Sequence, residues 1–126
     1  MRHQEHALQR SVADFLTLAL PPDATWTSVD HAPGKGIGPR AGAMRKARGL
    51  RAGWPDVQVY RHGVFIGIEL KSANGAKRHT QVEIGAEIVR AGGWWRVCRS
   101  VEDVERLLRD AGFHDLRATC LSAEAA

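Results

Sequence analysis

Apolar side chains recur at helical intervals through Ala7, Leu8, Val12, Phe15, Leu16 and Leu18, which predicts a first helix over about His3 to Ala19, ended by Pro21-Pro22. The period then changes. Ala24 to Asp30 reads as a short strand holding Trp26 and Val29, closed by His31-Ala32-Pro33-Gly34. Strict alternation appears in Asp56-Val57-Gln58-Val59-Tyr60, with Val57 and Val59 on one face and Asp56 and Gln58 on the other. Arg61-His62-Gly63 predicts a tight turn, and Val64 to Lys71 is almost wholly apolar until Glu69 and Lys71, which share a face. A turn rich in small and cationic residues, Ser72 to His79, follows. Val82, Ile84, Ile88 and Val89 then predict a helix over Thr80 to Ala91, stopped by Gly92-Gly93. Trp94-Trp95-Arg96-Val97-Cys98 reads as the last core strand, reached by a right-handed crossover and so parallel to a hairpin strand. Its neighbouring tryptophans face opposite ways, so at most one enters the core; packing is favoured over base stacking. Ser100 and Asp103 open a capped helix, Val101 to Asp110, whose Val104, Leu107 and Leu108 pack on the sheet and which Gly112 stops.

The order α-β-β-β-α-β-α gives an α/β fold, a mixed central sheet flanked by helices. At 126 residues the chain is expected to form one domain, with no internal repeat and a frayed tail from about Thr119. No apolar run approaches a membrane span and the first residues lack a secretory apolar stretch, so a cytoplasmic protein with no membrane partner is expected. Cys98 and Cys120 have neither metal-ligand spacing nor a disulfide framework and read as reduced and structural.

Charge sharpens the picture. The net charge of +4 and pI near 9.6 point weakly to a polyanion, but its distribution says more. Within a basic, glycine-rich connection over about 34–53, Lys35, Arg40, Arg45, Lys46, Arg48 and Arg51 occur without an acidic residue. The segment leads directly to Asp56, and about Gly42 to Arg48 is compatible with a helix. Its cations are expected to contact the DNA backbone, giving salt-dependent affinity with little sequence information; the bland alternative is a solvated loop.

Two carboxylates and a lysine on one hairpin suit phosphodiester chemistry. The anionic oxygens of a phosphodiester repel a nucleophile, so a divalent cation is needed to neutralise charge and ionise water near neutral pH. Asp56 and Glu69 offer hard oxygen ligands for Mg²⁺ or Mn²⁺, and Lys71 beside them would keep its proton and stabilise the charge growing on phosphorus. Taken alone, Glu-x-Lys is also an ordinary surface ion pair and Pro-Asp a common strand start. Gln81, in the first turn of the helix after the hairpin, faces back toward it, where an amide can hydrogen-bond without adding charge.

Gly53-Trp54-Pro55-Asp56, Ile68-Glu69-Leu70-Lys71-Ser72 and Thr80-Gln81, in that order, resemble the PD-(D/E)xK nuclease superfamily and, within it, the small standalone members of the VRR-NUC family found in phages and bacteria. The resemblance runs from the first helix to about Leu108. It implies a restriction-endonuclease-like core in which Asp56, Glu69 and the Leu70 backbone carbonyl hold metal, Lys71 is catalytic and Gln81 belongs to the active site. It also implies an acidic residue on the first helix facing the metal, a position that Glu5 matches best; a carboxylate that merely complements the helix dipole is the plainer account of Glu5. Structure-selective cutting of branched DNA such as Holliday junctions by a homodimer is implied as well. A repair or restriction-type nuclease acting on flap or duplex DNA would share every catalytic residue, and a non-catalytic DNA-binding protein on the same fold is disfavoured by the complete motif.

The six histidines form no metal-binding spacing with cysteine. His79, close to Gln81, is a candidate phosphate contact. Glu83 and Glu87 read as an exposed helix face rather than a second acidic pair.

Overall fold

The computed structural model describes residues 2–29 and 39–121. Its elements run α1 (Arg2–Ala19), β1 (Ala24–Ser28), α2 (Pro39–Ala47), β2 (Val57–Arg61), β3 (Val64–Leu70), α3 (His79–Arg90), β4 (Trp94–Cys98) and α4 (Val101–Asp110). The helix allowed by the basic connection is present as α2, so the order is α-β-α-β-β-α-β-α, one helix more than the expected pattern. Pro39 opens α2, where its missing N–H costs nothing. The helix ends with Gly49 at a φ of 87° and with the Leu50 N–H donating back to the Arg45 carbonyl at 3.0 Å. Nothing on α2 is buried, which is why its apolar signal was weak.

The four strands lie in the order β1-β2-β3-β4. β1 and β2 pair antiparallel, as do β2 and β3, whereas β4 runs parallel to β3, which makes the sheet mixed. His62 and Gly63 both take positive φ, 52° and 76°, the geometry of a two-residue hairpin turn whose twist matches the strands.

Alternation sorts the side chains onto two faces. Val57, Val59, Ile66, Ile68, Leu70 and Cys98 meet Val12, Phe15, Leu16 and Leu20 of α1 and its exit and Val104, Leu107 and Leu108 of α4 in one apolar core. Trp94 packs against that core, while Trp95 lies on the other face against α3, where a Cβ added to Gly85 would meet its ring at 2.3 Å. The two tryptophans therefore divide between faces as alternation requires. On α3, Ile84 and Ile88 are buried; Val82 and Val89 of the expected apolar set are exposed, as is Leu18 on α1.

Beyond α4 the chain doubles back and finishes α1. The Arg117 N–H donates to the Ala19 carbonyl at 2.8 Å, and the Arg117 guanidinium to the Leu20 carbonyl at 2.7 Å, which satisfies carbonyls left over at the helix end. Thr119 and Cys120, expected in a frayed tail, are instead held through side-chain and backbone hydrogen bonds to Glu105. Among the described residues no helix is long and apolar enough to cross a membrane.

Candidate active site

The loop entering β2 is wedged between the sheet and α3 because two glycines leave room for it. A Cβ on Gly53, whose φ is +95°, would lie 2.7 Å from the Thr80 carbonyl oxygen in the first turn of α3. On β3, a Cβ on Gly67 would lie 2.6 Å from Cγ of Pro55, so the proline ring occupies the space above that glycine. Asp56 is fixed as a result. Its backbone carbonyl accepts from the Val29 N–H at 2.8 Å, and its Oδ2 accepts from the Leu70 N–H at 2.8 Å. Val57 is paired with Ile68, so one further step of the same register sets Asp56 opposite Glu69.

Glu69 is 1% exposed, inside the α3 face of the central strand. Its Oε1 accepts from Nε2 of Gln81 at 3.0 Å. The Gln81 carbonyl in turn accepts from the Arg78 N–H at 3.1 Å, which fixes the amide orientation at the start of α3. The other oxygen, Glu69 Oε2, is buried and finds no donor among the described residues. Burial first, and then the contact and charge of the neighbouring Asp56 carboxylate, push the Glu69 carboxyl up to about 9, with Lys71 pulling the other way and Glu5 adding a smaller upward push. Lys71 is itself buried at the strand end, and its N–H donates to the Cys98 carbonyl at 3.1 Å, continuing the β3–β4 ladder.

Asp56, Glu69, Lys71 and Gln81 are thus brought together. The pairing of two carboxylates with a buried, donorless oxygen suits a hard divalent cation, which would supply the positive charge that oxygen lacks. Glu5 is half-buried and close enough for its charge to act on Glu69. Among the described residues, however, no three His, Cys, Asp or Glu side chains converge into a metal-binding cluster, so the protein oxygens on hand are the two carboxylates and the backbone. Mg²⁺ commonly binds in that way, keeping several waters.

The expected DNA contacts are dispersed. Lys35 lies outside the described residues. Arg40, Lys46 and Arg48 are exposed and Arg45 is half-buried on α2 and its exit. Arg51 and His79 are already engaged: Arg51 makes a two-pronged pair with Glu87 at 2.6 and 3.1 Å, and His79 meets Glu83 at 2.7 Å. Glu83 and Glu87 lie on the open face of α3 as expected, and each carries an ion-pair partner there.

Two residues escaped the sequence reading. The Arg99 guanidinium donates to the Ser72 and Gly75 carbonyls at 2.6 and 2.7 Å, closing the turn that leaves Lys71. Nothing in its sequence neighbourhood signals this, because the partners are backbone atoms of a distant turn. Glu105 is fully buried in α4. It left a trace, an acid inside the apolar stripe Val104-Leu107-Leu108 with Arg109 four residues on.

No family model matches the sequence, and no curated protein matches it. Solved structures do. One described as a VRR_NUC domain protein superposes with a TM-score of 0.62 at 18% identity, covering 85% of this chain and 86% of that one. The chain has the VRR_NUC domain fold. A second structure, a VRR_NUC domain, superposes with a TM-score of 0.56 at 18% identity over 84% of this chain and 95% of that chain. The mixed four-stranded sheet with flanking helices is the restriction-endonuclease-like architecture of the VRR_NUC domain.

Proposed function

We propose that this protein is a Mg²⁺- or Mn²⁺-dependent DNA endonuclease that hydrolyses phosphodiester bonds. The observation that carries the reading is the meeting of Asp56 with Glu69 beside Lys71, with Glu69 Oε2 buried and lacking a donor. Asp56, Glu69 and the Leu70 carbonyl would hold the cation, with Glu5 as a further carboxylate within electrostatic reach. Bound there, the ion neutralises phosphate charge and lowers the pKa of water.

The chain's own residues supply the rest. The Leu70 N–H and the Gln81 amide aim the two carboxylates, so little reorganisation is needed when a cation and phosphate arrive. Lys71 places a positive charge where negative charge accumulates on the phosphoryl oxygens. Arg40, Arg45, Lys46 and Arg48, together with Lys35, would bind the DNA backbone, whereas Arg51 and His79 are already paired with Glu87 and Glu83.

Branched DNA such as a Holliday junction, cut by a homodimer with paired sites, is the substrate that the sequence resemblance favours. Flap or duplex DNA is the competing substrate and would use the same residues. Incubating the protein with four-way junction, flap, nicked and linear duplex DNA in Mg²⁺, Mn²⁺ or EDTA tests both levels. Cutting is expected with either metal and absent in EDTA, with junctions preferred; equal cutting of linear duplex would remove the junction preference. Lys71→Ala and Glu69→Ala should abolish cutting while DNA binding persists, and unchanged cutting by both would overturn the assignment.

A further inference from the structure

A groove of about 470 Å³ opens on the α3 face of the sheet, lined by Trp54, Gln58, Tyr60, Phe65 and the Arg51–Glu87 pair among others. Its rings form a cluster: Tyr60 and Phe65 meet edge to face with centroids 5.3 Å apart, and Trp54 and Phe65 do so at 6.5 Å. The strand register ties the groove to the carboxylates. Tyr60 pairs with Phe65 and Gln58 with Gly67, and the next row on that face is Asp56 with Glu69. The aromatic row therefore lies four residues along the strands from the carboxylate row, about 13 Å. Pro55, seated over Gly67, fills the row between them.

We infer that this groove binds an unpaired nucleobase of the DNA strand being cut, an inference that rests on the nuclease reading and deepens it. Rings offer stacking faces that tolerate any base. The Tyr60 hydroxyl donates to Gln58 Oε1 at 2.7 Å, so the amide nitrogen of Gln58 is the end turned to other acceptors, such as a base edge. Charge selects the neutral part of a nucleotide. Arg51 is compensated by Glu87, so the groove itself attracts a base more than a phosphate, while the cations of Arg45 to Arg48, just before it in sequence, suit the backbone. A base stacked inside a duplex cannot enter a cleft between a helix and a sheet; a base at a branch or frayed end can. The groove thereby gives the enzyme a physical reason to prefer DNA with unpaired bases a short distance from the cut.

The test uses 2-aminopurine, placed unpaired at the fork of a splayed duplex or paired within a linear duplex, titrated with the full-length protein in EDTA. Saturable quenching of the unpaired probe is expected, with none for the paired probe. Tyr60→Ala should abolish the quenching and weaken splayed-duplex binding about tenfold while leaving linear-duplex binding unchanged. Tyr60→Phe, which keeps the ring, should restore both. Because Tyr60 is 41% exposed, neither change threatens the core. Absence of quenching, or equal weakening on both DNAs, would overturn the base site. A loss of dimer mass in light scattering with Tyr60→Ala would also overturn it, by assigning the groove to a second copy of the chain. Cutting in Mg²⁺ without quenching would remove the base site and leave the nuclease; quenching without cutting would do the reverse.

Discussion

Two glutamates are buried to the same extent in opposite parts of the molecule, and their surroundings push them in opposite directions. Glu69 is 1% exposed and Glu105 is 0% exposed. Glu105 accepts from Thr119 Oγ1 and the Cys120 N–H, both at 2.6 Å, from the Cys120 thiol at 3.2 Å and from Arg109 at 2.8 and 2.9 Å. Burial pushes its carboxyl up, but those donors more than offset it and hold it down at about 2. Among the described residues Glu69 has the Gln81 amide as donor to one oxygen, none to the other, and a second carboxylate as neighbour; it is pushed up to about 9. A buried carboxylate whose lone pairs are filled by the chain is part of the scaffold. One left half-filled beside another acid stores an electrostatic cost that a cation relieves.

The sharpest way to break this contrast is to remove each charge. Glu105→Ala strips the clasp from the C-terminal segment and leaves Arg109 without its partner, and is expected to cost about 3 kcal/mol in urea unfolding. Amide exchange at Cys120 should rise with it. Glu69→Gln keeps the shape and the Gln81 contact region but deletes the charge conflict. In EDTA at pH 8, inside the window where the Glu69 proton costs stability, it should raise Tm by several degrees. The same change should erase the Tm increase that Mg²⁺ or Mn²⁺ gives the parent protein by mass action, and with it all cutting. If both substitutions destabilised equally, Glu69 would be scaffold too and the contrast would fail.

The pH dependence carries opposite signs for the two groups. The folded pKa of Glu69 lies above its ordinary value of 4.5, so the folded state holds the extra proton. Stability in EDTA should therefore fall as pH rises from about 4.5 toward about 9, by up to about 1.4 kcal/mol per unit. The folded pKa of Glu105 lies below 4.5, so its contribution is present above that value and is lost as pH falls toward about 2. Urea midpoints from pH 3 to 9 measure both limbs. Glu69→Gln should flatten the alkaline limb and leave the acidic one; a flattening of neither would mean that Glu69 shares its charge differently from its geometry.

The sequence disclosed whichever features arise from local order. The hairpin, the capped α4 and the division of Trp94 from Trp95 between faces follow from period and turn chemistry, and the structure matches them. So does the approach of Asp56 to Glu69, since strand register carries one to the other. The reasons for the residues between them were not legible. Why Gly67 interrupts an apolar strand becomes plain only with Pro55 above it, and why Gly53 precedes the motif only with Thr80 against it. Arg51 looked like a free cation because its partner is 36 residues away. The clasp of Thr119 and Cys120 was hidden for the same reason: small polar residues read as a loose end until a distant buried acid receives them.

The smallest expected effect tests whether the scaffold reaches the site through Arg99. Its guanidinium joins the Ser72 and Gly75 carbonyls, and Gly75 is packed so closely that a Cβ there would lie 3.2 Å from Ser72 Oγ. That turn connects Lys71 to α3 and hence to Gln81, so Arg99 positions one from the other without touching a reacting atom. Arg99→Ala should lower kcat about tenfold, the equivalent of about 1.4 kcal/mol, with KM for DNA nearly unchanged and the metal-induced Tm shift retained. Arg99→Lys, whose ammonium sits on a shorter stem than the single Nη1 that makes both bonds, should recover only part of the rate. A fall in DNA affinity with kcat intact would place Arg99 among the phosphate contacts instead, and the turn after Lys71 would then be held by β4 alone.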